Sequence, residues 1–254
     1  MIRLDHIAIW TDQRDGLLNG VADAAHLKIM DGYAPGGTLA ARGVRFANGP
    51  FLDVHQVGPG PGSEGDRPFH RLIGLNGDID QVERRVTAAG LRARAARRAE
   101  AAHPEREAPW DLLSFRKEQG LASQLFVIAY HPGAPTQPEF ESPLYDPAGP
   151  GAGPAVLSRV WLPEADPEAA QAVLAALDAK PLGPVSSRLP PYEGMAFDLG
   201  PTQLVLSEPW GSPLALRLDI EADSEEPRML TPLPEVMLTF NDAPSATAQA
   251  RGGA

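Results

Sequence analysis

Arg3-Leu4-Asp5-His6-Ile7-Ala8-Ile9-Trp10, close to the N-terminus, alternates in chemistry. Strict alternation places Ile2, Leu4, His6 and Ala8 on one face of a strand, and Arg3, Asp5, Ile7 and Ile9 on the other. Thr11-Asp12 follows as a turn and cap signal. Leu17, Leu18, Val21 and Ala25 then recur at helical spacing, so a helix is expected from about 14 to 27, weakened by Gly16 and Gly20. Beyond the breaker-rich loop 31–37, two short strands are expected at 41–46 and 51–57. They are joined by Ala47-Asn48-Gly49-Pro50, a hairpin signal. The order is strand, helix, then two or three strands.

That order recurs. After a linker at 58–66, Phe69–Leu75 reads as a strand. Ile79, Val82, Val86 and Ala89 form a helical stripe that ends at Gly90, and strands are expected at 112–117 and 125–130. A Pro/Gly-rich linker spans 132–154. The pattern then appears a third time, with a strand at 155–162 and a helix opened by Asp166-Pro167-Glu168 and faced by Val173, Leu174 and Leu177. Strands follow at 194–199 and 203–207. A last pair, 214–220 and 235–240, reads as a hairpin or as separate edge strands, and 241–254 reads as a flexible tail. The expected class is α+β: repeated βαβββ modules forming curved mixed sheets around a concave cup, with helices outside. The expected organisation is a first domain, 1–131, from modules at 1–57 and 69–131. The linker follows, then 155–240 holds a third module plus C-terminal strands.

Composition supports short elements. The 254 residues include 25 glycines and 27 prolines, crowded at 32–37, 58–65 and 132–154, which excludes long bundles and coiled coils. The net charge of −11 argues against nucleic-acid and anionic-membrane partners. Without cysteine there are no disulfides, thiol nucleophiles or thiolate metal sites. No signal peptide and no membrane-length apolar run is visible, so a cytoplasmic location is expected. One local reversal of charge, six arginines between Arg84 and Arg98, reads best as a solvated face. Phosphate-loop, dinucleotide, nucleophile-elbow and H-E-x-x-H patterns are absent.

Leu4-Asp5-His6-Ile7-Ala8-Ile9, a helix, a Gly/Pro-rich loop and Gly49-Pro50-Phe51-Leu52-Asp53-Val54 together resemble the opening module of the vicinal oxygen chelate superfamily, in its glyoxalase-like group. The likeness extends over about residues 2–208. It implies paired modules forming a cup around a divalent ion, Zn, Mn, Fe or Ni, that chelates an oxygenated metabolite. Carried over by position, His6 and Asp53 become catalytic and metal-binding residues. His55 shares a strand face with Asp53 and is a third candidate ligand or a substrate contact. Arg71, Arg116 and Tyr130 are expected to contact substrate. A second ligand pair is not visible. The matching positions hold Arg71 or Leu72, Ser158, Ile128 or Ala129, and Leu204, while His70 and His131 fall out of register. The implied activity is that of a metal-dependent lyase, isomerase or dioxygenase. The alternative is a metal-free member that sequesters a small molecule or performs acid–base chemistry with His6 and Asp53. The cup forms from units one and two, from one and three, or across a homodimer.

Overall fold

In the computed structural model, strands and helices follow one another in a repeating order. The structure describes residues 1–34, 38–58, 68–96, 110–115, 118–131, 144, 154–222 and 227–241. The first module is β1 (Arg3–Thr11), α1 (Arg14–Ala25), β2 (Ile29–Ala34), β3 (Thr38–Arg45) and β4 (Phe51–Gln56). The second is β5 (Phe69–Asn76), α2 (Ile79–Ala88), β6 (Arg94–Ala96), β7 (Trp110–Ser114) and β8 (Leu125–Tyr130). The third is β9 (Val156–Pro163), α3 (Pro167–Ala176), β10 (Lys180–Ser186), β11 (Glu193–Asp198) and β12 (Gln203–Ser207). The chain closes with β13 (Leu216–Glu221), β14 (Arg228–Leu233) and β15 (Val236–Phe240).

Local chemistry starts and stops the helices as the patterns require. Asp78 accepts a hydrogen bond from the Gln81 amide at 3.0 Å, and Asp166 accepts one from the Ala169 amide at 3.0 Å, with Pro167 next in line. His26, at φ 53°, turns the chain out of α1. Leu17, Leu18 and Val21 of α1 and Val82 and Val86 of α2 are fully buried.

The strands form two mixed sheets, so the α+β expectation holds. One sheet has eight strands in the order β2-β3-β4-β1-β5-β8-β7-β6, and the other has seven in the order β10-β11-β12-β9-β13-β15-β14. The C-terminal strands are neither a hairpin nor separate edges. β13 runs antiparallel to β9 and parallel to β15, as β5 runs antiparallel to β1 and parallel to β8. They are therefore the remnant of a fourth module. Only six residues, 222–227, separate β13 from β14, where the other modules place a helix. β14 was not legible because its Arg228–Thr231 half is exposed and does not alternate.

Each sheet turns one face to the other half of the molecule. Ile7, Ile9, Ile73 and Leu75 of the first sheet join Val160, Leu162, Leu218 and Leu238 of the second, together with residues of all three helices, in one continuous core. Two small apolar clusters lie apart from it, one on each opposite face: Met30, Phe51 and Leu144 in the first sheet, and Trp161, Ala196 and Val205 in the second. The helix-bearing faces thus pack together and the concave faces look outward. Among the described residues no helix is long and apolar enough to cross a membrane.

Asn48, at the β3–β4 turn, joins the halves. Its amide donates to the Leu157 carbonyl at 2.9 Å and to the Thr202 hydroxyl at 3.1 Å, and its carbonyl accepts from the Leu157 amide at 3.1 Å. Asn48→Ala strands these partly buried groups. A loss of about 1–3 kcal/mol is expected in urea denaturation, with the cooperative transition retained.

Candidate functional site

The first concave face is built around an irregularity in β1. Leu4 pairs with Leu75 and His6 with Gly74, so Asp5 is an extra residue in the ladder. The bulge breaks the strict alternation. Leu4 enters the core, while Asp5 and His6 both turn to the cup. The Asp5 carboxylate oxygen Oδ2 lies 2.6 Å from His6 Nδ1 and accepts the Tyr130 hydroxyl at 2.9 Å. Sequence reasoning missed Asp5, because alternation assigned it to the other face.

His6 is closely packed. Its ring stacks on Phe51 at 4.7 Å and meets the edge of Phe126 at 5.1 Å. Phe51 and Phe126 occupy equivalent places: each lies beside the β1–β5 pair, Phe51 against His6 and Phe126 against Gly74. Gly74 provides the room, since a Cβ there would stand 3.0 Å from His6 Cε1 and Nδ1 and 2.7 Å from Phe126 Cζ. A carboxylate can only accept, so Asp5 fixes the proton of the neutral imidazole on Nδ1 and leaves the lone pair on Nε2. Burial, followed by the nearby Asp5 carboxylate, pushes the Tyr130 hydroxyl well above its ordinary range, so it stays a donor.

Asp53 and His55 lie two and four residues beyond Phe51 on β4. Asp53 Oδ2 approaches His55 Nε2 at 3.2 Å, and the His55 ring stacks on Trp10 at 4.8 Å. Asp53 Oδ1 is buried and meets no hydrogen-bond partner among the described residues. Asp53 also acts on the Tyr130 hydroxyl, as does the Arg45 guanidinium, so these groups share one cup. Arg45 donates to the Gly49 and Leu144 carbonyls and covers the Phe51 ring at 4.8 Å. Leu144, from the stretch expected to be a linker, is fully buried against Phe51 and Met30. The rest of 132–153 lies outside the described residues, as does the tail from 242.

His6, Asp53, His55 and Tyr130 are thus brought to one concave face. Arg71 is not. It alternates with Leu72 onto the core side, where its Nε donates to the Leu214 carbonyl at 2.8 Å. Burial there lowers its pKa to about 9. A substrate in the cup cannot reach it through the sheet. Arg116 lies outside the described residues.

A metal ion needs more donors than the described residues bring together: no three His, Asp or Glu side chains converge. Register explains this. His6 sits opposite Phe51, Asp53 opposite Ala8 and His55 opposite Trp10, so the Phe51 ring fills the place beside His6 that a carboxylate ligand would need. The described donors do not make a complete metal site.

The second concave face repeats the geometry with other chemistry. Leu157 pairs with Ile220 and Arg159 with Asp219, so Ser158 is the bulged residue and Arg159, not Ser158, occupies the position of His6. Val205, rather than Leu204, stands where Asp53 stands.

No protein-family model and no curated protein matches the sequence. Solved structures do match the fold. A hypothetical protein from Staphylococcus aureus superposes with a TM-score of 0.59 at 13% identity, over 94% of this chain and 98% of that one. A catechol 2,3-dioxygenase gives 0.57 at 13% identity, over 97% and 90%. A 4-hydroxymandelate synthase variant from Streptomyces coelicolor gives 0.55 at 14% identity, over 87% and 71%. The chain thus shares the fold of these dioxygenase and synthase structures.

Two outcomes follow. Tyr130 is expected to resist ionisation above pH 10 in the native state, as a late step in the ultraviolet titration that vanishes in Tyr130→Phe. Because the native pKa is raised, its contribution to stability is complete below the unfolded value near 10 and is lost as pH rises beyond it. Gly74→Ala is expected to destabilise by about 1–3 kcal/mol in thermal unfolding and to part His6 from Asp5, visible as a shift of the His6 ring resonances.

Proposed function

We propose that this chain is an enzyme of the dioxygenase-type fold that takes a small, planar, hydroxylated compound in the first cup and starts its reaction by proton abstraction at His6 Nε2. The observation that carries this reading is the Tyr130–Asp5–His6 chain, with contacts of 2.9 and 2.6 Å through one carboxylate oxygen. Asp5 holds the imidazole in the tautomer that exposes the lone pair, and it stabilises the imidazolium formed when the proton arrives. Tyr130 donates to Asp5 and fixes it in turn.

Asp53 suits the other half of the task. A buried carboxylate oxygen without a donor calls for one, and a substrate hydroxyl supplies it. The Phe51 and Trp10 rings bear on the two histidines at opposite ends of this stretch and make the surroundings flat and apolar. The dioxygenase and hydroxymandelate synthase neighbours make catechols and 4-hydroxyphenyl acids the first compounds to test.

A second reading keeps the divalent ion that the resemblance implies. It rests on Asp53 Oδ1, which has no partner among the described residues, and on His55 beside it, two donors that would contribute to an ion's shell. Since the described set is incomplete, no step is routed through an ion.

The readings separate by experiment. Turnover of the hydroxylated panel is followed by absorbance and oxygen uptake, with and without added Fe(II), Mn(II) or Zn(II). In the acid–base reading, His6→Gln lowers kcat by about 10²–10⁴-fold with little change in KM. Asp5→Asn lowers it by about 10-fold or more, because an amide presents either a donor or an acceptor to Nδ1. Full turnover in His6→Gln sinks the assignment. Turnover that appears only with added metal and disappears in both Asp53→Ala and His55→Ala favours the second reading.

A further inference from the structure

The two cups differ in charge. The first brings Asp5 and Asp53 together with the guanidinium of Arg45. The second carries two buried guanidinium groups, Arg159 and Arg217, beside the buried carboxylate of Asp219. Asp219 is saturated. Its Oδ1 accepts from Arg217 Nε at 2.7 Å and from the Thr239 hydroxyl at 2.5 Å, and its Oδ2 accepts from the Trp161 indole at 2.7 Å. Arg159 reaches the same Oδ2 only at 3.4 Å and is otherwise held by the neutral side chain of Gln203 at 3.3 Å. It makes no other hydrogen bond to a described residue. Its side chain is 8% exposed.

A guanidinium in that position is short of a counter-charge. Arg217 has the better geometry and stacks its charge over the Trp161 ring at 4.9 Å, so Asp219 belongs chiefly to it. A second cation sharing a carboxylate already bound by three donors is stabilised little by it, and burying it is costly. Guanidinium groups in such settings are matched by carboxylates that take two N–H bonds at once. Arg159 also stands at the place in the second cup that His6 holds in the first, at the middle of the concave face. Tyr192 and Trp210, stacked at 5.4 Å and partly exposed, pack against the cluster of Trp161, Ala196 and Val205 farther along the same face and give it a flat apolar wall.

We propose that the second cup is a separate binding site for a small organic carboxylate, whose anionic group pairs with Arg159 and whose flat body lies on the Tyr192–Trp210 side. This site is independent of the first cup and of the reaction assigned to it.

The test titrates the full chain with benzoate, and with benzamide as its neutral counterpart, by calorimetry and tryptophan fluorescence. Benzoate is expected to bind saturably, at least about 10-fold tighter than benzamide. Arg159→Met is expected to weaken benzoate by about 10-fold or more, with Arg159→Lys intermediate. His6→Gln is expected to leave benzoate binding unchanged, which separates this site from the first cup. In zwitterionic buffer without added salt, Arg159→Met is expected to melt no lower than the parent chain, because it removes an under-paired buried charge. Equal binding of benzoate and benzamide overturns the proposal. So does benzoate binding that Arg159→Lys and Arg159→Met both leave intact, or no benzoate binding up to its solubility.

Discussion

One extra residue in β1 decides the candidate site. In a strand without the bulge, Asp5 and His6 would point to opposite faces, and the Asp5 carboxylate would lie against the apolar core. Inserting Asp5 between the Leu4–Leu75 and His6–Gly74 pairs turns both side chains into the cup. The carboxylate then meets His6 and Tyr130 through one oxygen. The same irregularity recurs at Ser158, where it sets Arg159 opposite Asp219. The fold thus uses one backbone device twice and fills it with different chemistry each time.

The core lies on the other side of both sheets. Packing the helix-bearing faces together buries Ile7, Ile9, Val160 and Leu162 in a single cluster and leaves each concave face with a small apolar cluster and a set of polar residues. Such residues are tolerated only where they are satisfied. Around Asp219 every carboxylate oxygen has donors; around Asp53 one oxygen has none among the described residues. That difference underlies the proposal that a substrate hydroxyl binds in the first cup.

The resemblance to metal-using relatives carries the architecture further than the chemistry. His6 and Asp53 are present and share the first cup, yet the β1–β4 register offsets them by two residues, and Phe51 fills the space beside His6. Arg71, one residue from Leu72, passes to the core face through the ordinary period of two. There it bonds the carbonyl of Leu214 from the other half of the chain. Position in a motif places a residue on a strand; it does not fix which residue of the next strand lies beside it.

The sequence by itself determined the repeating strand–helix–strand order, the helix cap at Asp166, and the presence of His6, Asp53, His55 and Tyr130 on strands. These are local properties, set by period, capping and turn chemistry. The fourth, abbreviated module, the pairing of modules into two sheets, and the Tyr130–Asp5–His6 chain were decided by tertiary structure. Asp5 and Tyr130 are 125 positions apart, and the change of phase between Leu4 and Ile7 becomes a bulge only through pairing with another strand. It exists only where a second strand, β5, offers one residue fewer to pair with.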